Sequence, residues 1–168
     1  KKMRVAIVDD EREMRQMLAD YIKRFSEESG IEMEFTEFES GNVFLKDYRM
    51  RYDIIIFDIE MPGLNGMETA KKIREIDTGV TIIFVTNMAQ YAIEGYAVDA
   101  VDYIVKPLSY YDFSMKFHRT VAKASRQREH VVRIETSEGV RQIRVAAIIY
   151  IEVLSHYLYF YTAKREYK

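Results

Sequence analysis

The sequence predicts an α/β protein: a five-stranded parallel sheet, doubly wound by helices, followed by a short all-β segment. Over roughly the first 125 residues, apolar runs of four or five residues alternate with stretches of helical period, the pattern of βα repeats. Four of those runs stop at a residue with chemistry to offer. Val5-Ala6-Ile7-Val8 precedes Asp9-Asp10, Ile54-Ile55-Ile56-Phe57 precedes Asp58, Thr81–Val85 ends at Thr86, and Tyr103-Ile104-Val105 precedes Lys106-Pro107. Ligands of open parallel sheets bind just beyond the carboxyl ends of the strands, so these side chains are predicted to converge on one crevice.

The elements follow in order. After Val5–Val8, the residues Met14, Met17, Leu18, Tyr21, Ile22 and Phe25 recur at three- and four-residue steps and mark one face of a helix ending near Ser29-Gly30. Glu32–Phe38 reads as a strand whose carboxylates suit an exposed edge, and Ser40-Gly41 opens a helix carrying Val43, Phe44 and Tyr48. Beyond Asp58, the stretch Glu60–Gly66 is a loop by its Pro and Gly content. Met67, Ala70, Ile73 and Ile76 then line a helix closed by Asp77-Thr78-Gly79. A short helix is predicted from Gln90 to about Tyr96, and Phe113, Phe117, Val121 and Ala124 mark a last one running to about Arg128. From there the period changes to alternation. His130–Glu135, Val140–Val145, Ile148–Ile151 and Tyr157–Thr162 read as strands, with Ser137-Glu138-Gly139 turning a hairpin. Such a short all-β piece is a poor core by itself, so it is predicted to be the start of a second domain.

Composition narrows the chemistry. The chain has 168 residues, no cysteine, three histidines and a formal net charge of −2. Disulfides, thiolate catalysis and cysteine-based zinc sites are excluded, and His118, His130 and His156 lack metal-ligand spacing. Any metal is therefore predicted to be a hard cation bound by oxygen. The charge does not favour whole-chain attraction to nucleic acid. With no apolar stretch near the roughly 20 residues that span a bilayer and no signal-peptide core, no membrane association and a cytoplasmic location are the expectations.

Asp9, Asp10 and Asp58 can supply oxygen ligands to Mg²⁺. Each alone also suits a carboxylate capping a following helix, but the set distributed over separate strand ends points to a site. Lys106 offers a compact positive charge and Thr86 a hydroxyl donor for the same anion, while Pro107 fixes the chain so that the amine aims inward. A carboxylate beside a divalent cation, an amine and a hydroxyl is equipped to accept a phosphoryl group, and Asp58 is the central candidate.

Val8-Asp9-Asp10-Glu11, Phe57-Asp58-Ile59-Glu60-Met61-Pro62-Gly63-Leu64-Asn65-Gly66, Thr86 and Val105-Lys106-Pro107-Leu108 together resemble the flavodoxin-like receiver domain of two-component response regulators, over residues 4–125. The resemblance implies Asp58 as phosphoacceptor from a sensor histidine kinase. It implies Mg²⁺ bound by Asp10, Asp58 and the backbone carbonyl of Glu60, and by Asp9 mostly through water. Thr86 and Lys106 would bind the phosphoryl group, and Tyr103, three positions before the lysine, would be the aromatic switch, with Pro107 beside it. Added phosphoryl charge would draw Thr86 and Lys106 inward and let Tyr103 rotate, reshaping residues 88–108. Asn87 departs from the family's usual small residue, which bears on how long a phosphoryl group survives.

Ile148-Ile149-Tyr150-Ile151-Glu152 followed by Ser155-His156-Tyr157 resembles the beginning of a LytTR-type DNA-binding domain. Residues 1–128 are accordingly expected to form the receiver, and 129–168 the N-terminal part of a truncated LytTR-like domain. The resemblance places His156 in a DNA-contacting loop, with DNA binding dependent on a complete domain. Tyr150, Tyr157, Tyr159, Phe160 and Tyr161 read as strand and core residues rather than a stacking platform, and Lys164-Arg165 as a solvated turn that could touch phosphate. The expected function is a phosphorylation-controlled transcriptional regulator whose switched face promotes homodimerisation on DNA, with at most slow self-dephosphorylation. The alternatives are a metal-dependent phosphatase or phosphotransferase, with Glu60 as the nearby acid/base, or a receiver whose output is protein binding.

Overall fold

The structure, a computed structural model, describes residues 2–88, 90, 94–162 and 166–167. Strands and helices alternate as β1 (Met3–Val8), α1 (Arg12–Ser29), β2 (Met33–Phe38), α2 (Gly41–Asp47), β3 (Ile54–Phe57), α3 (Gly66–Ile76), β4 (Thr81–Thr86), a 3-10 turn (Glu94–Val98), β5 (Asp102–Val105) and α4 (Tyr110–Glu129). The five strands pair in parallel in the order β2-β1-β3-β4-β5, the doubly wound order in which the strand order reverses between β1 and β3.

Both faces of the sheet are covered, which is why its central strands read as unbroken apolar runs. Leu18, Ile22 and Phe25 of α1, with Phe113, Phe117 and Val121 of α4, pack on Val5, Ile7, Ile54, Ile56, Ile83 and Val85. On the other face Phe44 of α2 and Met67, Ala70 and Ile73 of α3 pack on Ala6, Val8, Ile55, Phe57, Ile82 and Phe84. Each fully buried large apolar side chain contributes roughly 1.5–3 kcal/mol. β2 takes the edge with an exposed alternate face, as its carboxylates suggest.

Helix ends follow from local chemistry. Gly30 closes α1 in the left-handed region, φ 69°, with its N–H on the Ser26 carbonyl. Asn65 and Glu68 form a reciprocal capping box at the start of α3, and Ser40 and Ser109 cap α2 and α4. Two expectations need correction. Tyr48 is not carried within α2 but lies just past it in extended conformation, its buried hydroxyl donating to Asp77 at 2.5 Å, and Val43 is exposed rather than core. The helix predicted from Gln90 to about Tyr96 falls partly on residues outside the described ones; its described end is the 3-10 turn Glu94–Val98.

The all-β segment comprises β6 (Val131–Thr136), β7 (Gly139–Arg144), β8 (Ile148–Leu154), β9 (Tyr157–Thr162) and β10 (Glu166–Tyr167). β6 and β7 form one antiparallel hairpin, and β8, β9 and β10 a second sheet in the order β10-β9-β8. The first turn is Ser137-Glu138 alone, since Gly139 already pairs with Thr136. β8 runs on to Leu154, and Ser155-His156 makes the next turn with φ of 48° and 71°, the double positive φ that a type I′ hairpin requires. Buried apolar residues here are Ile134, Ile143 and Phe160. Of the aromatic residues expected in the core, Phe160 is buried, whereas Tyr150 and Tyr157 are exposed and Tyr150 stacks on Tyr161 at 4.2 Å between centroids. Lys164-Arg165 lies outside the described residues.

The first hairpin docks on the end of the parallel sheet away from Asp58. Gln142 bridges Asp77, its carbonyl accepts from the Thr78 amide at 3.4 Å and the Thr78 hydroxyl at 3.3 Å, and its side-chain amide donates to the Met50 carbonyl. The approach is close enough that a Cβ on Gly79 would meet Val131 Cγ2 at 2.6 Å.

Candidate functional site

Parallel pairing sets the site. β1 and β3 run in register with Val8 opposite Phe57, so Asp9 and Asp58 emerge side by side; the ladder continues through Asp58 N to Val8 O at 2.9 Å and Asp9 N to Phe38 O at 3.1 Å. β4 and β5 align Thr86 with Val105, and the Lys106 amide donates to the Thr86 carbonyl at 2.9 Å. The Lys106–Pro107 peptide is cis.

Lys106 Nζ lies 3.1 Å from Asp9 Oδ2 and 3.1 Å from Asp58 Oδ2, with Glu11 Oε1 at 3.6 Å. Carboxylate oxygens of Asp9, Asp10 and Asp58 fall within 4.8 Å of one another; Asp9 and Asp58 are buried and Asp10 is exposed. Burial pushes the Asp9 carboxyl above its ordinary value, and the Asp58 charge adds to that, against the opposing pull of the Glu11 amide and the Lys106 ammonium. Burial works against the charge on Lys106, but Asp9 and Asp58 outweigh it and hold its pKa above the usual lysine range.

One ammonium does not balance three carboxylates at this spacing. Oxygen donors alone, clustered with excess negative charge and one member open to solvent, fit a hard divalent cation such as Mg²⁺ that keeps part of its water. Glu60 is exposed in the following loop and its amide donates to Asp58 Oδ1 at 3.3 Å. The loop returns tightly: Gly66 N donates to the Ile59 carbonyl at 2.9 Å, and the start of α3 presses on the Asp58 backbone.

Thr86 is fully buried at the neighbouring strand end, and its hydroxyl accepts the Met88 amide at 3.2 Å. Tyr103 is half-buried with its ring tilted on Phe84 at 6.1 Å; its hydroxyl donates to the Met88 carbonyl, and Lys116 Nζ donates to the Tyr103 carbonyl at 2.5 Å. The structure thus gathers Asp9, Asp10, Asp58 and Lys106 in one crevice, with Thr86 and Pro107 on the adjoining strand ends. Tyr103 is linked to Thr86 through Met88, whereas His156 is remote in sequence at a hairpin tip of the other sheet. Arg15 and Met88 were not foreseen. Arg15 Nη1 donates to the carbonyls of Asp9 at 2.8 Å and Asp10 at 3.1 Å, fixing the acidic pair from the first turns of α1. An arginine one helical turn past an acidic strand end is its only sequence signal.

The fold and crevice define a doubly wound α/β domain with a cluster of carboxylates at its strand ends closed by a lysine. Residues 5–116 match the response regulator receiver domain family. The chain is 30% identical over 145 residues to the sensory transduction protein LytT of Bacillus subtilis, covering 86% of this chain and 57% of LytT. It is 39% identical over 107 residues to the chemotaxis protein CheY of Thermotoga maritima, covering 62% of this chain and 85% of CheY. The response regulatory domain of mrkE from Klebsiella pneumoniae superposes with a TM-score of 0.64 at 27% identity, over 74% of this chain and 99% of that one. The response regulator TrrA of Thermotoga maritima, solved in complex with Mg²⁺-BeF, gives 0.59 at 31% identity, over 70% and 98%. The chain belongs to the response regulator receiver domain family. It spans about half the length of LytT and of most of the other curated relatives it matches.

Proposed function

We propose that Asp58 accepts a phosphoryl group from a sensor histidine kinase, and that this controls a DNA-binding output to which residues 129–168 contribute. The observation that carries the reading is the Lys106 ammonium held 3.1 Å from both Asp9 and Asp58 within a carboxylate cluster at the strand ends. In the transfer, an Asp58 carboxylate oxygen attacks phosphorus in line, the bond to the donor nitrogen breaks, and the donor imidazole leaves with the electron pair. Asp10, Asp58, the Glu60 carbonyl and, through water, Asp9 would hold Mg²⁺, which when bound would neutralise charge on the transferring oxygens. Lys106 and the Thr86 hydroxyl bind the phosphoryl oxygens of the product.

Turning the Thr86 side chain so that its hydroxyl donates to the phosphoryl group shifts the oxygen that accepts the Met88 amide, and Met88 also holds Tyr103, so Tyr103 and Pro107 report phosphorylation on the face around β5. Residues 1–128 act as the receiver, and 129–168 as the N-terminal part of a LytTR-like domain, with His156 at a DNA-facing turn. The LytT match supports this because it extends over 145 residues, more than the receiver alone. Receiver families are generally non-enzymatic, and the chain acts as a cytoplasmic phosphoacceptor, with dimerisation through the switched face. No helix among the described residues is long and apolar enough to cross a membrane.

The test is incubation with Mg²⁺ and a small phosphodonor, followed by intact mass. One added phosphoryl group that Asp58→Asn abolishes is expected; no addition, or equal addition to the variant, refutes the assignment. Steady turnover of a phosphate ester would point instead to a phosphatase. Sequence-specific retardation of DNA by the full-length protein separates the DNA output from a protein-binding one.

A further inference from the structure

A second polar cavity lies at the opposite end of the sheet from Asp58. Its volume is about 280 Å³, and it opens where the docked β6–β7 hairpin faces the start of β1, the residues before β3 and the end of α4. Arg4, Arg51, Arg128 and Arg133 line it, with Asp53 as the acidic residue among the lining side chains. From these we infer that the cavity is a binding site for a small phosphate-bearing anion, held jointly by the receiver and the hairpin.

The charges are unequally committed. Arg128 Nε pairs with Asp53 Oδ1 at 3.2 Å and its Nη2 donates to the Lys2 carbonyl at 2.8 Å, while Asp53 Oδ2 accepts the Arg4 amide at 2.8 Å. Asp53 is thereby tied down as a structural acceptor. The Arg4 side chain pairs with Glu34 and Arg51 with Asp47, each at 2.8 Å, but all four of those side chains are about half exposed. Such surface pairs are worth little and exchange readily. The Arg133 side chain, from β6, makes no hydrogen bond or ion pair among the described residues; only its backbone is engaged, in the pairing with Gln142. With Glu34 and Asp47 counted beside Asp53, four guanidiniums face three carboxylates, and Arg133 supplies the local excess of positive charge in a chain whose net charge is −2. Planar guanidinium forks match phosphate oxygens in bidentate geometry, which favours this ligand class over a neutral one.

Size and placement limit the ligand further. The volume is at or below the lower end of ordinary ligand pockets, roughly 300–1,000 Å³, so pyrophosphate or a single phosphate ester fits and a dinucleotide does not. Arg133 comes from the hairpin and Arg4 and Arg51 from the sheet end, so a bound dianion joins the two parts and stabilises their docking by mass action. This holds whether or not Asp58 is phosphorylated.

The probe is inorganic pyrophosphate, titrated in EDTA into the ¹⁵N-labelled chain and read by amide shifts at Gly79, Arg133 and Gln142. Saturable shifts are expected at constant ionic strength, weakened about tenfold or more in Arg133→Gln because a charge-assisted hydrogen bond is lost. Arg133 is exposed and outside the acidic crevice, so Arg133→Gln should retain the wild-type unfolding temperature and the same Asp58 phosphorylation. A response reproduced by matched NaCl, equal affinity in Arg133→Gln, or shifts confined to the acidic crevice would overturn the inference. So would saturable shifts at these amides on adding duplex DNA with none on adding pyrophosphate, which would make the surface a nucleic-acid contact.

Discussion

Gly66→Ala is the most informative single substitution outside the acidic cluster. A Cβ at this position would sit 1.9 Å from the carbonyl oxygen of Asp58, 2.8 Å from its carbonyl carbon and 3.0 Å from Ile59 Cα. The shortest of these contacts must open by at least 1.1 Å to reach even 3.0 Å, and every atom involved is backbone, so no rotamer change relieves it. Either α3 moves off the loop or Asp58 moves. Overpacking of this kind costs about 1–3 kcal/mol of stability. A displacement of about 1 Å at a reacting group costs on the order of 10²-fold in rate. The assay is the rate of phosphoryl incorporation from a small phosphodonor at saturating Mg²⁺, beside urea unfolding of the same sample. A folded Gly66→Ala chain phosphorylated at the wild-type rate with unchanged stability would refute the claim that α3 is seated on the Asp58 backbone.

Lys106→Ala leaves Asp9 and Asp58 buried without their ammonium, so the chain should lose ~3 kcal/mol and recover part of it on adding Mg²⁺; thermal unfolding with and without Mg²⁺ tests this, and indifference to the ion counts against it. Asp77 is buried and its pKa is raised mainly by that burial, against the donors Tyr48, Gly79 and Val80. Its folded form therefore binds a proton more tightly than its unfolded form, and the stability it contributes is present below about pH 4 and lost as pH rises through the raised value. Asp77→Asn should become more stable relative to wild type between pH 4 and pH 7, and a difference independent of pH in urea unfolding would reject this. Asn65→Ala removes the reciprocal capping box of α3 and should cost ~1 kcal/mol by the same measurement; no change would show that the cap is replaced by solvent.

The sheet was legible because its physics is one-dimensional. Ile54-Ile55-Ile56-Phe57 is apolar at every position because both faces are covered, and the carboxylates of β2 mark an edge because nothing lies beyond it. In-register parallel pairing then carries Asp9 beside Asp58 and Lys106 beside Thr86, so strand ends read from sequence became neighbours in space. What escaped the sequence depends on backbone atoms or on packing between segments. Ser155-His156 makes a tight turn without the glycine or asparagine that usually signals one. Gln142 is an unremarkable polar residue in an alternating strand, and its docking role exists only once Thr78 and Met50 are placed. Tyr48 belongs by spacing to α2, yet the Asp77 carboxylate draws it past the helix end.

The two bonds made by Met88 have a consequence for how the protein can be altered. One peptide group on each side of this residue serves the strand-end threonine and the aromatic ring of β5, and neither link uses the methionine side chain. The relay is therefore written in main-chain atoms: side-chain replacement at position 88 can leave it standing, and drift of the residue type over generations need not sever it. Its vulnerable ends are the Thr86 and Tyr103 hydroxyls. Thr86→Val and Tyr103→Phe each delete one oxygen while keeping the shape, and they would cut the same wire at opposite terminals.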